Sequence, residues 1–248
     1  KAVQANTNTG LVSASISGNT LTLDYQADQN GSATITVRGT SNGLTVDDVF
    51  VVTVNAVNDA VTLTSSIADY TVLEDAGVST VADLDNIFGD IDILNGASSA
   101  LQTLSFSVVG NTNSGLATPS IAGSGVLTIS YTSDDNGSAT ITVQANDGNG
   151  STLNESFVVT VTAVNDVVTL TAAIDNYTVL EDATATTVAD LDNIFGDIDI
   201  LNGDAAQTLT YSVVSNTNSD LATPSIDAST GVLTVSYTSD DNGSATIT

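Results

Sequence analysis

Apolar and polar residues alternate along most of this chain. In residues 126–131 (VLTISY), Leu127, Ile129 and Tyr131 fall on one side of an extended backbone. Ala139, Ile141, Val143 and Ala145 do the same in residues 138–145, as do Phe157, Val159 and Val161 in residues 157–163. A period of two marks a half-buried β-strand. Asn-Gly pairs at 136–137 and 149–150 separate these runs as turns. One stretch departs from the pattern: Leu84, Ile87 and Phe88 are spaced as on a helix, which predicts one short helical turn capped by Asp83. About seven strands in roughly 106 residues predict an all-β, immunoglobulin-like sandwich, with a barrel as the less favoured alternative.

The pattern repeats. Residues 50–59 (FVVTVNAVND) return as 157–166 (FVVTVTAVND), and 70–75 (YTVLED) return as 177–182. Residues 81–96 (VADLDNIFGDIDILNG) recur unchanged at 188–203, and 131–142 (YTSDDNGSATIT) recur unchanged at 237–248. A diverged copy, YQADQNGSATIT, occupies 25–36. Self-similarity at a fixed period identifies a tandem array. Three segments follow: 1–59 as the C-terminal part of one repeat, 60–166 as a complete repeat, and 167–248 as the N-terminal part of a third. Lys1 aligns with Phe106 and Thr248 with Thr142, both inside predicted strands. The expectation is that the native chain continues in both directions, or that neighbouring molecules complete the ends.

Composition narrows the chemistry. The chain has 29 acidic residues against two basic ones, Lys1 and Arg38, for a formal charge of -27. Nucleic acid and anionic lipid are therefore excluded as partners. With 41% hydrophobic residues the chain is a strand former rather than a disordered polyanion. Cys, His, Met and Trp are absent, so disulfide, zinc, haem and iron–sulfur chemistry is ruled out, and no apolar run is long enough to insert in a membrane. No nucleophile–base constellation is present. A glycosidase pair built from Asp134 and Asp135 is rejected, because identical turns in every repeat do not make one cleft. No enzymatic activity is expected.

The complete repeat carries 12 acidic residues and no basic one. They group beside Gly or Asn at predicted strand ends: Glu74-Asp75, Asp90-Ile-Asp92, Asp134-Asp135, Asn146-Asp147-Gly148 and Asn165-Asp166. Two carboxylates 4 Å apart repel by about 4 kcal/mol at an effective dielectric near 20. In a sandwich, strand-end loops gather at the ends of the domain. Hard oxygen ligands converging there suit calcium, which takes six to eight oxygens, better than magnesium. An EF-hand is rejected: Asp90-x-Asp92 begins like one, but Leu94 and Leu101 occupy ligand positions. Solvated turns are the plain alternative for each group. Asn-Gly-Ser at Asn30, Asn136, Asn149 and Asn242 matches a glycosylation acceptor, and a hairpin turn accounts for all four.

The order Glu74, Asp90-x-Asp92, Asp134-Asp135, Ala145-Asn-Asp147-x-Gly and Ala163-Val-Asn-Asp166 resembles cadherin-like repeats, in particular the cadherin-like and immunoglobulin-like arrays of large bacterial surface adhesins. The resemblance implies a linear array of sandwiches with calcium between successive repeats. It assigns two ligand sets. At the entry to the complete repeat, Asn58 and Asp59 would meet Asp90, Asp92 and Asp147. At its exit, Glu74 and Asp134 or Asp135 would meet Asn165, Asp166, Asp197 and Asp199. The linker is shorter and less acidic than in cadherins, and Asp135 stands where an Arg is usual.

Three roles are compatible with such an array: a calcium-stiffened stalk of an adhesin at the cell surface, the repeat subunit of a self-assembling extracellular filament or sheath, or a carbohydrate- or protein-binding module. Only 4% of residues are aromatic, which disfavours carbohydrate binding. The partners implied are calcium, neighbouring repeats and, in the filament reading, further copies of the chain.

Overall fold

The computed structural model describes residues 1–94, 102–203 and 207–248. The chain forms two compact units. Unit one comprises Lys1–Val72, Ala76–Thr132 and Gly137–Val161; unit two comprises Leu73–Asp75, Ser133–Asn136 and Thr162–Thr248. None of the described helices is long and apolar enough to cross a membrane.

Unit one holds two cores. The first is built by β1 (Ala2–Asn6), β2 (Val12–Ser17), β3 (Thr20–Tyr25), β4 (Gly31–Ser41) and β5 (Leu44–Val54). They form a sheet of order β1-β4-β5 and a β2-β3 hairpin, and enclose Leu11, Val12, Ala33, Ile35 and Val52. The second core lies among β6 (Thr62–Leu63), β7 (Tyr70–Leu73), β8 (Ser79–Asp83), β9 (Phe88–Gly89), β10 (Ser105–Asn111), β11 (Ala117–Ile121), β12 (Val126–Tyr131), β13 (Gly137–Asn146) and β14 (Thr152–Thr162). Seven of these have four residues or more. Sheets of order β10-β13-β14-β7 and β11-β12-β8 provide its two main faces, with the two-residue strands β6 and β9 paired separately.

The alternation read along the chain becomes the packing. On β13, Ala139, Ile141, Val143 and Ala145 are buried; on β14, Phe157, Val159 and Val161 are buried. They meet Leu84, Leu116, Leu127 and Ile129 in one core. β14 begins at Thr152, five residues before the apolar alternation does, because the hairpin turn pairs Asn146 with Thr152 and the ladder runs from there to Gly137 and Val161. The helical spacing at 84–88 is realised as a 3₁₀ turn, Leu84–Asn86, and Asp83 Oδ1 caps it by accepting the Asp85 N–H at 3.2 Å. Phe88 packs against Phe106 with ring centroids 5.9 Å apart.

Gly125 sits behind this turn with φ +77°, and a Cβ there would lie 3.0 Å from Asp85 Oδ2. Both the left-handed backbone and the contact oppose any side chain. Gly125→Ala is therefore expected to destabilise the chain by more than about 1 kcal/mol, measured by urea unfolding.

Unit two contains β15 (Thr169–Leu170), β16 (Thr186–Asp190), β17 (Phe195–Gly196), β18 (Ala222–Ile226) and β19 (Val232–Tyr237). A sheet of order β16-β19-β18 covers a small core of Leu221, Ala222 and Val235. The 3₁₀ turn Leu191–Asn193 is capped by Asp190 as its counterpart is by Asp83, and Phe195 packs on Tyr211 at 5.9 Å.

Candidate cation sites

Two short helical turns position the Asp-x-Asp pairs. In α1 (Ile91–Leu94), Asp90 precedes the first residue and its Oδ1 accepts the Asp92 N–H at 2.9 Å. In α2 (Ile198–Leu201), Asp197 caps in the same way, accepting from Asp199 at 3.0 Å. The cap satisfies one oxygen and leaves the others free to point elsewhere. A solvated turn does not describe these residues: Asp90, Asp92, Asp197 and Asp199 are all buried.

All residues of the first site lie in unit one. The Asp59 N–H donates to Asp92 Oδ2 at 2.8 Å, and Asn58 Nδ2 donates to Asp147 Oδ2 at 2.9 Å. Asp147 is 2% exposed, and its other oxygen collects the N–H groups of Asn149 and Ser151 at 2.8 and 3.0 Å. Burial pushes the Asp147 carboxyl up, but hydrogen bonds from Asn58, Asn149, Ser151 and Gly150 outweigh it and hold the group below the ordinary carboxylate range. Asp59 moves the other way. Burial and the charges of Asp92, Asp28 and Asp90 raise it.

All residues of the second site lie in unit two. Glu74, Asp166 and Asp199 bring one carboxylate oxygen each to within 4.8 Å of one another, and Asp75, Asp134 and Asp166 form a second such trio. The Asp166 N–H donates to Asp199 Oδ2 at 2.9 Å, and the Val164 N–H donates to Glu74 Oε1. Asp134 takes a left-handed conformation, φ 56°, and its N–H donates to Asp75 Oδ1 at 3.0 Å. Asn165 turns its amide onto the Asp166 carbonyl at 2.9 Å. Burial and the charges of Asp134, Asp199, Asp75 and Glu74 raise Asp166. An acid raised on folding favours the folded state below its unfolded pKa, and that contribution is lost as pH rises through the folded value. At neutral pH, then, the cation-free trio opposes folding.

Glu74 is 3% exposed, yet its Oε2 has no hydrogen-bond partner, and neither has Asp166 Oδ2. An unpartnered buried carboxylate oxygen is costly unless a cation faces it. Among the described residues the buried charged groups are Glu74, Asp90, Asp92, Asp147, Asp197 and Asp199, all acids of these two sites. Arg38 is already held by Asp47 at 2.6 Å on β4 and β5. The donor set is oxygen only, which fits a hard divalent ion of calcium's size and ligand number.

The ligand sets expected from the resemblance are thus brought together, with one selection and several additions. Asp134, not Asp135, joins the second site. The diverged copy carries that signal, keeping an acid at Asp28 but Gln29 where Asp135 stands. The left-handed φ is repeated at Asp28, Asp134 and Asp240. Sequence reasoning left Asp75, Gln102 and Gln207 out of the ligand sets. The recurrence of Gln-Thr-Leu at 102–104 and 207–209 could have flagged the two amides.

No protein-family model matches the chain, and no curated protein does. Solved structures do. Protocadherin gamma B2 extracellular cadherin domains 1–5 align over 96% of this chain with TM-score 0.51 and 15% identity; the chain spans 46% of that structure. Mouse cadherin-23 EC22–24 aligns over 95% of this chain and 74% of its own, with TM-score 0.48 and 16% identity. Human mucin-like protocadherin EC1–2 aligns over 66% and 83%, with TM-score 0.44 and 16% identity. The protocadherin gamma B2 likeness, together with the nearly all-β architecture, establishes the fold as a cadherin-like, immunoglobulin-like β-sandwich.

Proposed function

We propose that this chain is a stretch of an extracellular array of cadherin-like repeats, divided at 59/60 and 166/167, in which calcium held at each inter-repeat acidic site limits bending. The array acts as a non-enzymatic spacer in a bacterial surface adhesin, carrying a binding module away from the cell. The observation that carries the reading is the buried, unpartnered Glu74 Oε2 facing Asp166 and Asp199. Linker residues Asn58, Asp59, Asn165 and Asp166 are tied to the Asp-x-Asp turns or the Asp147 loop through their backbone or amides, so an ion bound there couples linker to sandwich. Extracellular calcium modules bind at about 0.1–1 mM, which matches ion levels outside cells and leaves such sites empty in most cytoplasms. The resemblance carried by the Val-Asn-Asp linkers supports the adhesin assignment.

Small-angle scattering tests the spacer role. Calcium is expected to increase the maximum dimension of the particle, and chelator to reduce it. Identical scattering curves in calcium and chelator would reject the proposal that calcium sets stiffness.

A further inference from the structure

Two uncharged side chains reach into the acidic sites. Gln102 is 8% exposed, and its Nε2 donates to Asn58 Oδ1 at 3.0 Å and to Asp90 Oδ2 at 3.4 Å. Gln207 Nε2 donates to Asp199 Oδ2 at 3.1 Å, the same oxygen that accepts the Asp166 N–H. In each site, therefore, one amide reaches a carboxylate of the Asp-x-Asp pair, and in the first it also reaches the linker asparagine.

The preceding segments do not explain this placement. Seven residues, 95–101 (NGASSAL), separate Leu94 from Gln102, whereas five, 202–206 (NGDAA), separate Leu201 from Gln207. Segments of different length and sequence deliver the same amide to the same pair of acids. What recurs is the side chain's target, not its distance along the chain.

The chemistry of an amide suits that target. Nε2 carries two N–H donors and no charge. A Lys or Arg here would pair permanently with the carboxylates and compete with a divalent ion. An aliphatic side chain would leave their oxygens unpaired and free to turn away from one another. The amide fixes which oxygen faces inward while leaving the full negative charge of the site available. Groups that hydrogen-bond to metal-ligating carboxylates act in this way, and their loss typically weakens metal binding 10–100-fold.

We propose that Gln102 and Gln207 are positioning residues of the two cation sites, neutral donors that hold the Asp-x-Asp carboxylates and the linker in binding geometry when the ion is absent. The inference rests on the cation reading above. It adds two residues that neither charge nor the cadherin resemblance selects, and it explains how buried acids without basic partners remain assembled before calcium arrives.

The test uses the whole chain in two double variants, Q102L/Q207L and Q102E/Q207E, with calcium titration calorimetry and thermal melts in chelator and in calcium. Q102L/Q207L is expected to bind calcium about tenfold more weakly than wild type. Q102E/Q207E keeps the shape but replaces each N–H donor by another carboxylate. It is expected to melt lower than Q102L/Q207L in chelator, and to gain more from calcium than wild type does. A side chain that only fills space would lower both melts and leave calcium affinity alone, so wild-type affinity in Q102L/Q207L overturns the proposal. A wild-type melting temperature for Q102E/Q207E in chelator overturns it as well. Absence of calcium binding by the wild-type chain sinks the cation reading itself; the chelator melt of Q102E/Q207E then still reports whether the amides hold the carboxylates.

Discussion

Phe157→Ala is expected to destabilise the complete sandwich by about 3–5 kcal/mol, the range for truncating a fully buried aromatic. Phe157 is 2% exposed and lies on β14, where the ladder with β13 brings it opposite Ile141. Its ring contributes to the core shared by Leu84, Leu116, Leu127, Ile129 and Val143, all of which have essentially no exposure. The two sheets cannot close over the missing ring without breaking the alternation that places Val159 and Val161 inward. For a domain of this size each kcal/mol moves the midpoint by about 4–8 °C, so the loss shows as a separate, earlier transition in thermal unfolding followed by circular dichroism. Val109, on β10 but 49% exposed, provides the comparison: Val109→Ala is expected to change stability by less than about 0.5 kcal/mol. Equal effects of the two substitutions would mean that the inward and outward faces are assigned wrongly.

The second large effect concerns the acids, and its sign depends on calcium. A ligand that binds only the folded state stabilises it by RT ln(1 + [L]/Kd). With a Kd of about 0.1–1 mM, 10 mM calcium contributes roughly 1.4–2.7 kcal/mol per ion. Asp166→Asn removes a charge from a trio in which Glu74, Asp199, Asp134 and Asp75 all disfavour ionisation. In chelator the variant is therefore expected to melt at or above the wild-type temperature. In calcium it is expected to melt below wild type, because one ligand charge is gone. A structural role for Asp166 within the sandwich would lower both melts together. The reversal of sign distinguishes an ion site from an acid that merely ties the linker down.

Much of this was legible along the chain. Alternation at 126–131, 138–145 and 157–163 reports inward faces directly, because a sheet covered on one side imposes a period of two. The 3₁₀ turn was visible in the spacing of Leu84, Ile87 and Phe88. The repeat itself brought the acids into register, since a position that recurs as Asp28, Asp134 and Asp240 occupies the same turn each time. Other features were not legible. Nothing local reveals that β7 joins the sheet beside β14, because that pairing spans the whole repeat. The burial of Asp90 and Asp92 was hidden for a similar reason: an Asp-x-Asp beside Asn-Gly reads equally as an exposed turn, and only the linker packing onto it removes it from water. Gln102 and Gln207 escaped because an amide carries no charge and no periodicity of its own. Its meaning comes from the carboxylates it faces.

Calcium titration calorimetry of the whole chain at pH 7 tests the central claim most directly. Saturable binding with a dissociation constant of about 0.1–1 mM, reduced in stoichiometry by Asp166→Asn, is the predicted result. A titration of the wild-type chain that shows no saturable binding up to about 10 mM, ten times the weak end of that range, would contradict it.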